Sequence, residues 1–228
     1  MRLLKESDEA VRKALDVLRN GGVVAHATET CYGFACDLTN PAAVAKLFTV
    51  KQRPADQPVS TLFPSVEEVK KYAVWNDRAK ELAKKYLPGP LTLILPLRSD
   101  APCKLFLTQQ QTTHNPSSPA TAVSSGQASK RANERVPANQ LTIGIRVSSN
   151  SLAARLAQEF GKPLSTTSAN LHSQPNPYSA QDIIAQFNGA GLRPDLILDS
   201  GTLPETPAST VIDLTENEGK RLREGLIE

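Results

Sequence analysis

Two cations one residue apart, Lys51 and Arg53, and a run of hydroxyls closed by a carboxamide, Ser165-Thr166-Thr167-Ser168-Ala169-Asn170, are the parts of this chain best suited to holding an anion. Fixed cations neutralise phosphate or carboxylate oxygens, and hydroxyls on a turn hydrogen-bond them. Thr28-Glu29-Thr30 adds two more hydroxyls around an acid. Each group also has an ordinary reading. A Lys and an Arg just past a helix are solvated charges that suit its negative end. Ser-Ala-Asn after a strand is a polar turn. Thr28, Thr30 and Tyr32 alternate with Glu29 and Cys31 as one face of a strand end, with Gly33 permitting a tight turn. Taken together, the three groups point to a polyphosphate-like ligand. There is no Walker A sequence and no Gly-rich dinucleotide fingerprint, so a nucleotide would be held by another design. No Ser/His/Asp or Cys/His arrangement suggests covalent catalysis, and His26 reads as structural.

These residues need elements to position them. Ser7 caps an expected helix through Asn20, with Val11, Ala14, Leu15 and Leu18 on one face, and Gly21-Gly22 ends it. Val23 to Thr28 reads as a strand. Asn40-Pro41 opens a helix that ends just before the two cations. Val59 to Phe63 is strand-like, Ser65-Val66-Glu67-Glu68 has the form of a capping box, and a helix is expected from Asn76 to Tyr86. Pro88-Gly89-Pro90 launches a strand over Leu91–Leu97, and Leu141–Val147 is another. A helix capped by Ser149 or Asn150 runs to Gly161, followed by a short strand into Thr167 and a short helix over Ser179–Asn188. Leu196–Asp199, Ser209–Leu214 and Arg221–Arg223 are the last strand candidates. The alternation predicts an α/β or α+β fold with a substantial sheet.

With 228 residues, 39% of them hydrophobic and 21% charged, the chain has the composition of a globular protein and enough length for a sizeable core. A net charge of +3 gives no chain-wide basic footprint for nucleic acid. Cys31, Cys36 and Cys103 have no metal-ligand spacing, and three His add no zinc cluster, so no metal site is expected. The odd cysteine count and a charged N-terminus without a signal h-region suggest a cytoplasmic protein, and no apolar run could span a bilayer. One stretch breaks the pattern. Thr108 to Gln140 is rich in Thr, Gln, Ser, Asn, Ala and Pro, with neither Leu nor Ile before Leu141 beyond it, and reads as a flexible insertion in one domain spanning 1–228. Lys130, Arg131 and Arg135 give it some positive charge, so it is either a lid over the site or inert.

The chain resembles the YrdC/TsaC family. The residues that carry the likeness are Gly22-Val23-Val24-Ala25-His26-Ala27-Thr28-Glu29-Thr30-Cys31-Tyr32-Gly33-Phe34, Lys51-Gln52-Arg53-Pro54 and Pro88-Gly89-Pro90-Leu91-Thr92-Leu93. Thr142-Ile143-Gly144-Ile145-Arg146-Val147, Ser165 to Asn170, Ser209-Thr210-Val211 and Leu222-Arg223-Glu224-Gly225 follow in family order. His26-Ala27 stands where the family usually carries an aromatic and a proline. The resemblance implies a twisted mixed sheet with flanking helices around a large concave cavity, in the single-domain form. It also implies an L-threonylcarbamoyladenylate synthase, a nucleotidyltransferase that joins L-threonine, bicarbonate and ATP and releases pyrophosphate. This is the first step of the t6A modification of tRNA, and transferase proteins downstream would use the product.

On that resemblance Lys51 and Arg53 are the catalytic cations. ATP would be bound by Lys51, Arg53, Thr142, Thr166, Ser168, Asn170 and Arg223. L-threonine would be bound by Thr28, Thr30, Arg146 and Ser209. Mg²⁺ would enter with ATP, without an organic cofactor. Two alternatives keep the same cavity: a module binding double-stranded RNA or tRNA, and a related carbamoyl-adenylate enzyme with another acceptor.

Overall fold

The computed structural model describes residues 1–108, 141–216 and 218–227. The expected insertion at 108–140 lies outside the described residues, apart from Thr108. Among the described residues ten strands form one sheet in the order β1-β8-β2-β3-β7-β4-β6-β5-β9-β10. The strands are β1 Arg2–Lys5, β2 Val24–Ala27, β3 Tyr32–Ala35, β4 Ser60–Leu62, β5 Leu91–Pro96, β6 Thr142–Arg146, β7 Leu164–Ser168, β8 Leu196–Asp199, β9 Thr210–Asp213 and β10 Lys220–Arg223. The helices are α1 Asp8–Arg19, α2 Pro41–Lys51, α3 Val66–Val69, α4 Asp77–Tyr86, α5 Ser151–Phe160 and α6 Ala180–Gln186.

Capping residues fix where the helices start. Ser7 accepts from the Ala10 amide, Asn40 from Ala42 and Ala43, Asn76 from Ala79, and Asn150 from Leu152 and Ala153. Each side chain satisfies amides that a helix's first turn leaves without a carbonyl. Ser179 and Asp182 form a reciprocal capping box on α6. The capping box expected at Ser65 is only half made: Ser65 accepts from the Glu68 amide, but the Glu68 carboxylate pairs with Lys71 at 2.7 Å.

Alternating side chains send the strands into two cores. On one face α1 and α5 pack with Val24, Ala35, Leu62, Leu164, Leu196 and Leu198. On the other, α2, α4 and α6 pack with Ala25, Phe34, Leu93, Ile143, Ile145 and Ile197. Neighbours such as Val24 and Ala25 therefore belong to opposite cores, as period-two geometry requires. β1 is an edge strand that the sequence reading left unassigned; three of its four residues are exposed, so no apolar alternation marks it.

The site owes its shape to a parting of strands. β7 pairs with β4 antiparallel over Ser60–Thr166, Thr61–Ser165 and Leu62–Leu164, and with β3 at Gly33–Ser168 and Phe34–Thr167. Beyond the Ser60–Thr166 pair the chain before β4 leaves β7, and the Val59 amide bonds instead to the Leu107 carbonyl at 3.0 Å. Thr167 and Ser168 thus have a sheet neighbour on one side and open space on the other.

Candidate functional site

A cavity of about 180 Å³ opens at this parting. Arg53, Arg146 and Arg223 line it, with the hydroxyls of Thr28, Thr30, Ser60, Thr92, Thr166, Thr167, Ser168 and Ser209 and the side chain of Asn176. Among the described residues the lining carries three guanidinium groups and no carboxylate. It is therefore an anion site by composition.

The two sequence cations part company. Lys51 ends α2, and Gln52 caps it in the left-handed region, with φ of 51°. That turn sends the neighbouring side chains apart. Arg53 lines the cavity, its Nη2 donating to the Pro58 carbonyl at 2.8 Å. Lys51, expected to face phosphates, is 2% exposed and is not part of the lining. Its ammonium donates to the Ser168 carbonyl, to the Asn170 carbonyl at 2.9 Å and to Asn170 Oδ1 at 3.0 Å. Burial, with the Arg53 charge adding to it, pushes the Lys51 ammonium down to about 7. Three acceptors around one nitrogen call for three N–H donors, so the turn is built for the charged form.

Asn170 is occupied in the same way. Its Oδ1 also accepts from Ser168 Oγ at 2.6 Å, and its Nδ2 donates to the Gln174 carbonyl. It is not part of the cavity lining; it shapes the turn that presents Ser168 there. Thr166 and Ser168 do line the cavity, as consecutive outward positions of β7.

Thr142, expected to touch the nucleotide, is exposed at the start of β6 opposite Pro96 and does not line the cavity. Arg146, at the other end of the strand and roughly 13 Å away at about 3.3 Å per residue, does. Strand direction, which a motif does not carry, explains the difference.

Thr28 and Thr30 lie in the turn between β2 and β3, rather than on a strand. Thr28 Oγ1 donates to the Cys31 carbonyl at 2.7 Å, and the Thr30 and Cys31 amides donate back to it. Gly33 lies within β3 and not in a turn. Thr30 Oγ1 accepts from Arg146 Nη2 at 2.8 Å, and the same nitrogen donates to Glu29 Oε1 at 3.0 Å. Arg146 is thus partly neutralised from behind.

On the far wall Arg223 grips Ser209 twice, through Nε to its carbonyl at 2.9 Å and through Nη2 to its hydroxyl at 2.8 Å. The Ser209 hydroxyl also lies 2.9 Å from Thr92 Oγ1. Gly225 permits this grip: a Cβ there would sit 2.1 Å from the Ala208 carbonyl oxygen. Burial, with Arg146 next, lowers the affinity of the Arg223 guanidinium for its proton, and burial does the same at Arg53.

Sequence reasoning missed Thr92, Ser60, Thr167 and Asn176 as cavity residues. For Thr92 a signal existed, a polar residue between Leu91 and Leu93 in an otherwise apolar strand, buried to 3%. His26 is wholly buried, its Nδ1 on the Ala27 carbonyl at 2.9 Å and its Nε2 without a partner. Burial, with Arg146 adding to it, holds its pKa down at about 4, so it is neutral at pH 7. No helix among the described residues is long and apolar enough to cross a membrane.

Comparison with known proteins agrees with this architecture. A family model described as "Telomere recombination", covering Sua5, YciO and YrdC, matches residues 16–115 and 107–225. A threonylcarbamoyl-AMP synthase of Pyrococcus abyssi is 31% identical over 94% of this chain and 54% of its own length. One of Bacillus subtilis is 30% identical over 97% and 55%. The chain thus spans about half the length of these two relatives. The crystal structure of P. abyssi Sua5 complexed with L-threonine superposes with a TM-score of 0.74 at 28% identity, covering 98% of this chain and 56% of that one. E. coli YciO, at 24% identity and a TM-score of 0.72, shares the fold over all of this chain and 95% of its own. With the family model matched on both sides of the parted sheet and the same fold in solved members, this chain belongs to the Sua5/YciO/YrdC family.

Proposed function

We propose that this protein makes L-threonylcarbamoyladenylate from L-threonine, bicarbonate and ATP, the first step of t6A modification of tRNA. The observation that carries the reading is the cavity itself: three arginines and a ring of hydroxyls with no lining carboxylate among the described residues, in a family with curated members named threonylcarbamoyl-AMP synthases. Such a lining suits a substrate set in which every member carries an anionic group.

The chemistry needs positioning more than acid–base groups. The deprotonated threonine amine attacks the bicarbonate carbon, and water leaves to give the carbamate. A carbamate oxygen then attacks the α-phosphorus, and pyrophosphate departs. Arg53 would take the phosphates, where charge develops on the leaving group. Arg223, with Ser209, Thr166 and Ser168, would hold the nucleotide. Arg146 and Thr30 would hold threonine through its carboxylate and hydroxyl, with Thr28 lining the pocket and fixing the turn that presents Thr30. Lys51 and Asn170 would act from below, by fixing the turn that carries Ser168.

Mg²⁺ would arrive with the nucleotide. Among the described residues no three His, Cys, Asp or Glu cluster as a metal site, and the cavity offers hydroxyls, which suits an ion held mainly by substrate phosphates and water. It would neutralise charge on the pyrophosphate. The product is a reactive acyl-type adenylate, for which downstream t6A transferase proteins are the consumers. Incubation with ATP, ¹⁴C-bicarbonate and L-threonine tests the proposal. A labelled adenylate and pyrophosphate that both require threonine are expected. Turnover with another amine but none with threonine would favour a different carbamoyl acceptor, and salt-sensitive RNA retention without turnover would favour a binding module.

A further inference from the structure

Glu29 occupies an unusual place beside the cavity. It is an acid in the turn between β2 and β3, yet its partners are on another part of the chain, 117 and 119 positions away. One carboxylate oxygen accepts from Arg146 Nη2 at 3.0 Å, and the other accepts from the Ser148 hydroxyl. Both members of the ion pair are largely buried, with side-chain exposures of 10% for Arg146 and 13% for Glu29. Ser148 is anchored in turn, because its hydroxyl accepts from the amide of Asn150, the residue that caps α5.

The carboxylate therefore bridges two residues spaced i and i+2 at the end of β6. One of them is a cavity arginine and the other is tied to a helix start. Thr30, its neighbour in the same turn, accepts from the same Arg146 nitrogen at 2.8 Å. Both hydrogens of Nη2 are then committed to the β2–β3 turn. A long arginine side chain on a strand end has many rotamers, and this double contact selects one.

We infer that Glu29 is a positioning residue for Arg146: spanning Arg146 and Ser148, it sets the direction in which the guanidinium meets the substrate carboxylate. The inference rests on the proposed function, in which Arg146 receives L-threonine. What matters on this account is the reach of the side chain, and the negative charge is secondary. Glutamine keeps the reach: its oxygen can accept from Arg146, and its amide can donate to Ser148. Aspartate keeps the charge but is one methylene short of spanning both partners.

The test compares Glu29→Asp and Glu29→Gln with wild type, measuring kcat, KM for L-threonine, KM for ATP and the melting temperature. The expected result is a KM for L-threonine raised at least about tenfold in Glu29→Asp and restored to within about threefold of wild type in Glu29→Gln. KM for ATP should stay close to wild type in both. Ser148→Ala, which removes the far anchor, should raise the threonine KM in the same sense and by less. Glu29→Gln more impaired than Glu29→Asp would overturn the inference in favour of charge compensation, equal impairment of the two would overturn it because reach alone would not suffice, and unchanged KM in all three variants would overturn it outright. A wild type that forms no threonine-dependent adenylate would instead sink the proposed function, and this inference with it.

Discussion

Lys51 binds Asn170 at both its backbone carbonyl and its side-chain oxygen, at 2.9 and 3.0 Å, across 119 positions of sequence. The contact locks the end of α2 to the turn after β7. A mutation of the Lys-Gln-Arg motif therefore has two separable consequences, one on folding and one on the cavity. Lys51→Met should cost about 3 kcal/mol of stability, because three acceptors lose their buried donor. Urea titration checks this, and a midpoint equal to wild type would show that the turn does not depend on the ammonium.

Arg53→Ala should behave in the opposite way. Arg53 lies at the cavity rim with one carbonyl partner, so the fold should persist while adenylate formation falls by about 10²–10³-fold. Circular dichroism and pyrophosphate release measured on one preparation separate the effects. Wild-type turnover would remove Arg53 from the reaction.

The difference between these cations shows where sequence reading stops. Both are charged, both follow an apolar helix face, and nothing in their types tells which one turns inward. The decision is made by Gln52 in the left-handed region and by acceptors on a distant turn. Helix starts were legible because a cap lies within three residues of the amide it satisfies, as at Ser7 and Asn150. The ordered motifs likewise led to Thr30, Arg146, Ser209 and Arg223 at one cavity. Thr142 stands away from the described lining because it begins β6 at the end opposite Arg146, and a motif does not carry strand direction. Edge strand β1 was missed because only Leu4 of its four residues packs against the core, too little for an apolar alternation.

His26 should make the protein acid-sensitive. Its folded pKa of about 4 lies below the ordinary 6.5, so the unfolded chain binds the proton more readily. The corresponding stability is fully present above pH 6.5 and is lost as pH falls from there toward 4. Between pH 7.5 and 4.5 wild type should lose about 2–3 kcal/mol more than His26→Gln, which cannot titrate. Urea midpoints at the two pH values provide the check, and parallel losses in the two proteins would refute it.

Gly225→Ala should unseat Arg223. The added Cβ would meet the Ala208 oxygen at 2.1 Å and the Thr210 amide nitrogen at 2.5 Å, both backbone atoms that cannot rotate away. A loss of about 1–3 kcal/mol is expected, together with a raised KM for ATP. A variant with unaltered ATP affinity would mean that the Ser209–Arg223 grip does not serve the nucleotide.

L-valine should be a poor substitute for L-threonine. With Thr30 pairing the substrate hydroxyl in the turn that Thr28 holds, the isostere leaves that group unpaired, and kcat/KM should fall at least on the order of a hundredfold. Competition between the two amino acids in the adenylate assay measures this ratio; a value near one would exclude a hydroxyl-reading pocket.

The parting of β4 from β7 has a consequence for how the molecule matures. The walls of the cavity come from residues 28, 30, 31, 33, 53, 58–60, 92, 146, 166–168, 176, 208–209 and 223. Nearly every contact across it joins segments that are distant along the chain, and such contacts form late in folding, once long loops have closed. No fragment ending before β10 can assemble the gap, since Arg223 would be missing from its wall. On the proposed function, ligand capture is then an all-or-none report on the whole sheet, and an unfinished chain emerging from the ribosome would be unable to sequester nucleotide.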